Sequence, residues 1–259
     1  MEMNMTYAEK IKILRQVSSE LEKAVESFCG VLDAPQLVPD GDEMFPRFEN
    51  PTPRHFQILM AVRVVSGINA SCSLLESGYV QEVGVILRTL EEFLAKIILI
   101  QNMYEENKVT SEQQKLIDEY FKVDIRRAED ILDGPTWWAN MRRVYAEYAK
   151  YLTKAPNTPN PEELQRKART IYNGFSGYVH GFYSHIMEIY ESGTERFRMQ
   201  GVPNTVRVRE MLCSGGLPAY AHRSLNIFAS IAQGLQLFEL FQRLIECRRN
   251  FEKSSAYSN

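Results

Sequence analysis

Four residues stand out because their types and spacing could do chemistry. Ser176 and His180 lie four apart, so on a helix their side chains sit one turn from each other. Arg88 and Glu92 repeat that spacing on a segment otherwise reading Val85-Ile86-Leu87 and Phe93-Leu94. A charge buried among such residues has to be paired, and these two can pair with each other. Arg63, inside Ala61-Val62-Arg63-Val64-Val65, is expected to be a similar buried cation on the preceding helix. Each pair also has a plain structural meaning. Arg88 with Glu92 reads as an ionic latch that orders helices, and Ser176 with His180 as a hydrogen-bonded packing contact. A functional reading requires that Arg88, Glu92 and His180 converge in space.

Other kinds of site find no residues to build them. A di-iron bundle needs Glu-x-x-His pairs, and the chain has none. His180 and His185 are five apart, about 140° round a helix, so they cannot share a metal. Cys29, Cys72, Cys213 and Cys247 lack the close pairing of a zinc site and read as reduced, mostly buried thiols. No glycine loop for phosphate precedes a helix, and no Gly-x-Ser-x-Gly turn occurs. Neither a metal nor a cofactor is expected. Trp137 and Trp138 could stack on bases, but adjacent helical positions point apart, so one belongs to the core.

The elements that must position these residues are helices. Thr6 and Glu9 form a capping box, and Ile11, Leu14, Val17, Leu21, Val25 and Phe28 recur at helical steps behind it. Residues 33–53, with five prolines, read as an extended loop. Thr52 and Pro53 start a second helix running to Glu76, with Phe56, Leu59, Met60, Val64 and Ile68 inward and Gly78 breaking it. Residues 79–104 are apolar almost all round, which predicts a central third helix carrying Arg88 and Glu92. Ser111 with Gln114 starts a fourth, and 136–152 reads as a shorter helix. After a linker at 153–160, Asn160, Pro161, Glu162 and Glu163 open a long helix expected to reach Ser192.

That long helix has two stripes. Ile171, Phe175, Tyr178, Val179, Phe182, Ile186 and Ile189 form a core face, while Arg169, Asn173, Ser176, His180 and Ser184 form a polar one. Gly174, Gly177 and Gly181 lie along it. Each costs about 1 kcal/mol against alanine, so close approach of another helix or a ligand is expected there. Residues 196–216 read as irregular, with room for one short helix, and 217–251 as a final helix. No alternating strand, repeat or low-complexity tract interrupts the pattern. The fold class is all-α: one domain over 1–259, a bundle of six or seven helices.

Composition narrows the classes. At 259 residues, 44% hydrophobic and 24% charged, the chain can bury a sizeable core, which excludes wholesale disorder and a disulfide scaffold. A net charge of −3 excludes a generic polycation. The first 130 residues carry 14 basic and 22 acidic side chains, the remainder 16 and 11. Between 196 and 249 every basic residue is an arginine, opposed only by Glu210, Glu239 and Glu246. Such a surface suits phosphate or carboxylate, and equally an acidic half packed on a basic half within or between subunits. The longest charge-free helical stretch, 224–238, is shorter than the ~20 residues that cross a bilayer. No basic and apolar leader opens the chain, so a cytoplasmic protein away from membranes is expected.

Two stretches carry a resemblance. Arg88-Thr-Leu-Glu-Glu92 and Tyr172-Asn-Gly-Phe-Ser176-Gly-Tyr-Val-His180-Gly181 resemble the paired motifs of an uncharacterised bacterial all-helical family. In that family an Arg-x-x-x-Glu helix is followed, well downstream, by a Tyr-x-x-x-Ser-x-x-x-His helix. The family is similar to the HEPN superfamily, helical bundles that include metal-independent RNases of toxin–antitoxin, CRISPR and abortive-infection systems. The resemblance spans roughly 55–250, its specific part being the two motifs. HEPN nucleases place an arginine and a histidine close together on one helix, usually at a dimer interface. Here the nearest preceding arginine, Arg169, is about 16 Å from His180 along a helix, so Arg88 could replace it only by tertiary approach.

The resemblance therefore implies one of two activities. The first expectation is a non-catalytic HEPN-like helical module binding a nucleotide, a nucleic acid or a partner protein in a bacterial defence or regulatory system. The alternative is a metal-independent endoribonuclease, with His180 as base on a ribose 2′-hydroxyl, Arg88 stabilising the phosphorane charge, and Ser176 and Glu92 beside them. A homodimer is expected in either case, from the number of apolar helix faces and the opposed charges of the two halves.

Overall fold

The computed structural model describes residues 6–40, 43–105, 175–181, 183–191, 193–213 and 215–254, with a few single positions between 114 and 170. The described residues are mostly helical. Helix α1, Tyr7–Cys29, starts at the expected box: the Thr6 hydroxyl accepts from the Glu9 amide at 3.3 Å, and the Glu9 carboxylate accepts from the Thr6 amide at 2.7 Å. Its inward face is Ile11, Leu14, Val17, Leu21, Ala24 and Phe28. Helix α2, Pro53–Ser77, is capped by Thr52, with His55 Nδ1 accepting from the Thr52 amide at 3.1 Å. It ends at Gly78, whose φ of 81° allows the left-handed turn into α3, Val80–Glu105.

Because that turn is so short, α2 and α3 run back along each other. Gly67 lets them approach closely, since a Cβ there would lie 2.7 Å from Leu90 Cδ2. A buried polar link fixes their other ends. Arg54 donates to Gln57 Oε1 at 2.7 Å, and Gln57 donates to Gln101 Oε1 at 3.0 Å. Gln101 in turn reaches the Ser230 carbonyl at 3.5 Å, so the Gln57 and Gln101 side-chain amides both find partners within this apolar layer.

Ser230 belongs to α6, and the expectation of one helix over 217–251 is corrected here. The chain forms α6, Leu217–Gly234, and α7, Phe238–Lys253, separated by a left-handed Gln236 (φ 59°). The Leu237 amide bonds the Ala232 carbonyl at 2.9 Å, and that of Gln236 bonds Gln233 at 3.0 Å. These are the two bonds that close a helix through a left-handed residue, a place usually taken by glycine. Here glutamine fills it, and the periodicity passed over the stop. Helix α7 then returns antiparallel along α6, with His222 bonded to Glu252 at 2.7 Å and Arg248 to Asn226 at 2.6 Å. Helix α6 touches α1, α2, α3 and α7, so it shares the centre with α3. Phe228 meets Phe28 edge-on at 5.8 Å.

Two further expectations are corrected. The 33–53 loop contains a ribbon, β1 (Gln36–Asp40) antiparallel to β2 (Glu43–Arg47). Pro39 and Pro46 suggested loop, but each strand of a two-stranded ribbon is an edge, where a missing N–H is tolerated. The long helix to Ser192 is also interrupted. Residues 175–179 are helical, the chain turns at His180 and Gly181 (φ 60°), and α4 covers only Tyr183–Ile186. A 3-10 turn, Met187–Ile189, leads into β3, Tyr190–Glu191, which pairs with β4, Arg196–Phe197. Gly181 adopts a conformation that ends the helix, so here it serves a turn rather than an approaching neighbour. The short helix foreseen within 196–216 is α5, Val206–Met211, capped by Thr205.

Helix α2 is, among the described residues, the one helix long and apolar enough to cross a membrane; it packs here on α1, α3 and α6. The helix expected from Ser111 is described only at Gln114, Ile117, Asp118, Tyr120 and Phe121, all helical. Tyr120 packs edge-on to Phe56 at 4.6 Å. The expected helix 136–152, the linker 153–160, and Trp137 and Trp138 lie outside the described residues.

The two cap glycines should respond oppositely to alanine. At Gly78 a Cβ would sit 2.2 Å from the Val202 carbonyl carbon in a left-handed backbone, so Gly78→Ala should cost more than the ~1–2 kcal/mol of the conformation alone. Gly30 is right-handed with its nearest neighbour at 3.5 Å, and Gly30→Ala should be neutral or stabilising by up to ~1 kcal/mol. Urea unfolding of both variants checks the contrast.

Candidate functional site

Helix α3 presents Gln81, Gly84, Arg88 and Glu92, at steps of three and four, to the chain between 175 and 186. Gln81 donates to the His185 carbonyl. Gly84 receives the Tyr178 ring flat against its backbone, where a Cβ would come within 2.5 Å of Cδ2. Arg88 then joins three of the four expected residues. Its Nε donates to Ser176 Oγ at 3.2 Å, and its Nη1 pairs with Glu92 Oε1 at 3.0 Å. The Arg88 and Glu92 side chains are 19% and 18% exposed, less buried than an all-apolar helix implies, and Ser176 is buried.

His180 lies on the other side of a boundary. Its amide bonds the Ser176 carbonyl at 3.0 Å, so it continues the same helical turn, yet its side chain is exposed. Arg88, Glu92 and Ser176 thus form one partly buried cluster, with His180 at the exposed end of the segment that carries it. The expected stripe stops there. Ser184 falls beyond the turn, its hydroxyl 3.2 Å from His185 Nδ1, and Arg169 and Asn173 are outside the described residues. Gly177 does mark a close approach, as expected. The neighbour is His185, folded back so that a Cβ on Gly177 would be 2.2 Å from Cε1, with its ring 4.2 Å from that of Tyr178.

A second cluster adjoins the first. Glu91, almost fully buried, accepts from Arg223 of α6 at 2.6 Å. One turn before Arg223, the Tyr220 hydroxyl is buried with no hydrogen-bond partner among the described residues, and its ring lies 6.3 Å from Phe175. Burial first, and then the Glu91 charge, push that hydroxyl up from its ordinary range, so it stays protonated. Sequence reasoning missed Glu91, Tyr220 and Arg223. The signal was the doublet Glu91-Glu92: adjacent helical carboxylates point about 100° apart, so Arg88 can serve only one of them. The other required a cation from elsewhere.

Farther along, Arg207 of α5 donates to Tyr178 Oη at 2.6 Å and pairs with Glu188 at 2.8 Å and Glu210 at 2.7 Å. This network borders a cavity of about 360 Å³ between the start of α3 and the β3–β4 ribbon. Arg198 pairs with Glu191, Arg243 with Glu20 at 3.2 Å, and Arg248 with Asn226. The arginine-rich half therefore has internal acceptors, and Arg223–Glu91 and Arg243–Glu20 join it to the acidic half within one chain. Arg63 corrects an expectation: it is exposed, with its guanidinium carbon 5.7 Å from the centre of the Phe93 ring.

Among the described residues no three histidine, cysteine or carboxylate side chains gather to hold a metal. Burial raises the Cys72 thiol to about 12 and that of Cys247 to about 11, so neither is a nucleophile near neutral pH. Compared with protein-family models, curated proteins and solved structures, the chain matches none.

Arg88→Ala removes two charge-assisted contacts and leaves a carboxylate without that cation. The residual exposure places the cost at about 2 kcal/mol, below the ~3–5 kcal/mol of a fully buried pair. Ser176→Ala should cost about 1 kcal/mol. Because both variants break the same contact, their effects in a double-mutant cycle should fall short of additivity when measured by urea unfolding.

Proposed function

We propose that the protein is a non-catalytic HEPN-like helical module that binds a nucleotide, a nucleic acid or a partner protein in a bacterial defence or regulatory system. One observation carries this reading. The Arg88 guanidinium is engaged by Glu92 and by the buried Ser176, so the arginine works as an interhelical clamp rather than standing beside exposed His180. In-line attack by a ribose hydroxyl needs a base and a cation facing the same phosphate. A clamp buried one turn behind the histidine suits a scaffold better.

The alternative, a metal-independent endoribonuclease, is favoured by the same contact seen from the other side. Arg88 bonds Ser176, which lies one helical turn before His180 in the same segment. In that case His180 takes the 2′-hydroxyl proton and Arg88 steadies the phosphorane.

Incubation of the wild-type chain with diverse RNAs, with and without divalent metal, should leave them intact. Cleavage that is lost in His180→Ala at unchanged melting temperature would establish the nuclease instead. We further propose a cytoplasmic homodimer. The reading is supported by four large apolar side chains, Tyr183, Phe197, Met199 and Val206, that are exposed between residues 183 and 206. Sedimentation should give a dimer at micromolar concentration; a monomer unaffected by salt would overturn it.

A further inference from the structure

The cavity of about 360 Å³ between the start of α3 and the β3–β4 ribbon has walls that the structure holds in place. The backbone at Gly201 and Val202 lies so close against Ser77 and Gly78 that neither glycine has room for a Cβ. In the ribbon the Arg198 amide donates to the Ile189 carbonyl at 2.8 Å, and the Tyr190 and Phe197 rings meet edge-on at 5.1 Å. Arg207 ties α5 to the same wall through Glu188 at 2.8 Å. The space is therefore formed before any ligand arrives. Its volume falls within the range of about 300–1,000 Å³ that small-molecule sites occupy.

The lining decides the chemistry. Val80, Ile189, Tyr190, Met199, Val202 and Val206 all face this one cavity. Met199 and Val206 are 85% and 72% exposed, so apolar surface stands open to water there. The charges of the described wall are answered within the protein. Arg198 Nε donates to Glu191 at 3.0 Å, and Arg207 is shared between Glu188 at 2.8 Å and Glu210 at 2.7 Å. Glu82 is exposed in the first turn of α3, where the helix dipole favours a carboxylate. An anion would have to displace carboxylates from both guanidiniums, and a cation would have to displace guanidiniums from Glu188 and Glu191. An uncharged apolar molecule breaks no pair, and it gains by removing water from the aliphatic walls.

We propose that this cavity is a binding site for an uncharged, largely apolar small molecule, an aromatic or aliphatic body carrying no more than a hydroxyl or carbonyl. The site goes beyond the reading above, since the phosphates of a nucleotide would meet guanidiniums that already hold carboxylates. It shares no residue with the Arg88, Glu92 and Ser176 cluster or with His180, so its failure and that of the module reading are separate results.

The test is calorimetric titration and thermal melting of the whole chain with two neutral probes, indole-3-ethanol and 1-hexanol. Tryptamine and indole-3-acetate serve as the cationic and anionic counterparts of the first. At least one neutral probe should bind and raise the melting temperature, as any ligand selective for the folded state does. The two charged indoles should bind roughly tenfold or more weakly than indole-3-ethanol. Val80→Asp and Val206→Asp each put a carboxylate in the lining, at the first residue of α3 and of α5, where a helix favours it. Each should weaken the neutral probes by roughly tenfold or more. Without ligand, Val206→Asp should melt no lower than wild type. Absence of heat and of any melting shift with both neutral probes at millimolar concentration would overturn the proposal. Tighter binding of either charged indole, or wild-type binding by both variants, would do the same. Should Val80→Asp fail to fold, the exposed Val206→Asp decides.

Discussion

Much of this structure follows from the need to answer charges on a helix that is otherwise core. Helix α3 buries Val83, Leu87, Leu90, Leu94 and Ile97, yet carries Arg88, Glu91, Glu92 and Lys96 between them. A charge in such surroundings must find a partner or a hydrogen bond. Glu91 draws in Arg223 and thereby fixes the turn of α6 that faces α3. Glu92 takes Arg88 Nη1, and Arg88 Nε reaches Ser176, which fixes the 175–179 segment on the other side. Geometry that apolar packing would leave free to slide is set by these contacts.

Close backbone approach completes the arrangement. The polar contacts from α3 to the 175–186 segment are short because Gly84 and Gly177 have no side chain. Tyr178 rests on the first, and the His185 ring folds over the second. The Tyr178 hydroxyl is thereby delivered to Arg207 and Glu188, so one aromatic side chain links α3 to the wall of the neighbouring cavity. A helix continuing straight through Gly181 could not bring His185 back over Gly177. The turn there is thus part of how the clamp is covered.

The distribution of charge bears on function. The arginines between 196 and 249 suggest an anionic partner when read along the chain, but in space many of them face glutamates of the same molecule. An arginine already holding a carboxylate in good geometry offers less to a phosphate than its count implies. Arg63 and Lys96, for which no carboxylate partner is found among the described residues, lie in the acidic half and face the Phe93 ring.

The sequence by itself determined the helical class, the Thr6–Glu9 capping box, the helix start at Thr52 and Pro53, the stop at Gly78, and the pairing of Arg88 with Glu92. These are local: a cap, a left-handed glycine or an i, i+4 pair involves residues within one or two turns, and the chain carries them wherever the helix goes. The stop at Gln236, the turn at Gly181 and the ribbon at 36–47 escaped it, because each uses a residue or spacing that is locally permitted yet not locally signalled. Only the tertiary structure decided that Ser176, 88 residues away, would meet Arg88 while His180 stayed at the surface. It also decided that Glu91 would find Arg223 and that Arg63 and Lys96 would share Phe93. Helical spacing tells which residues lie on a common face. Which face meets which depends on how the whole set of helices packs, and no single helix carries that information.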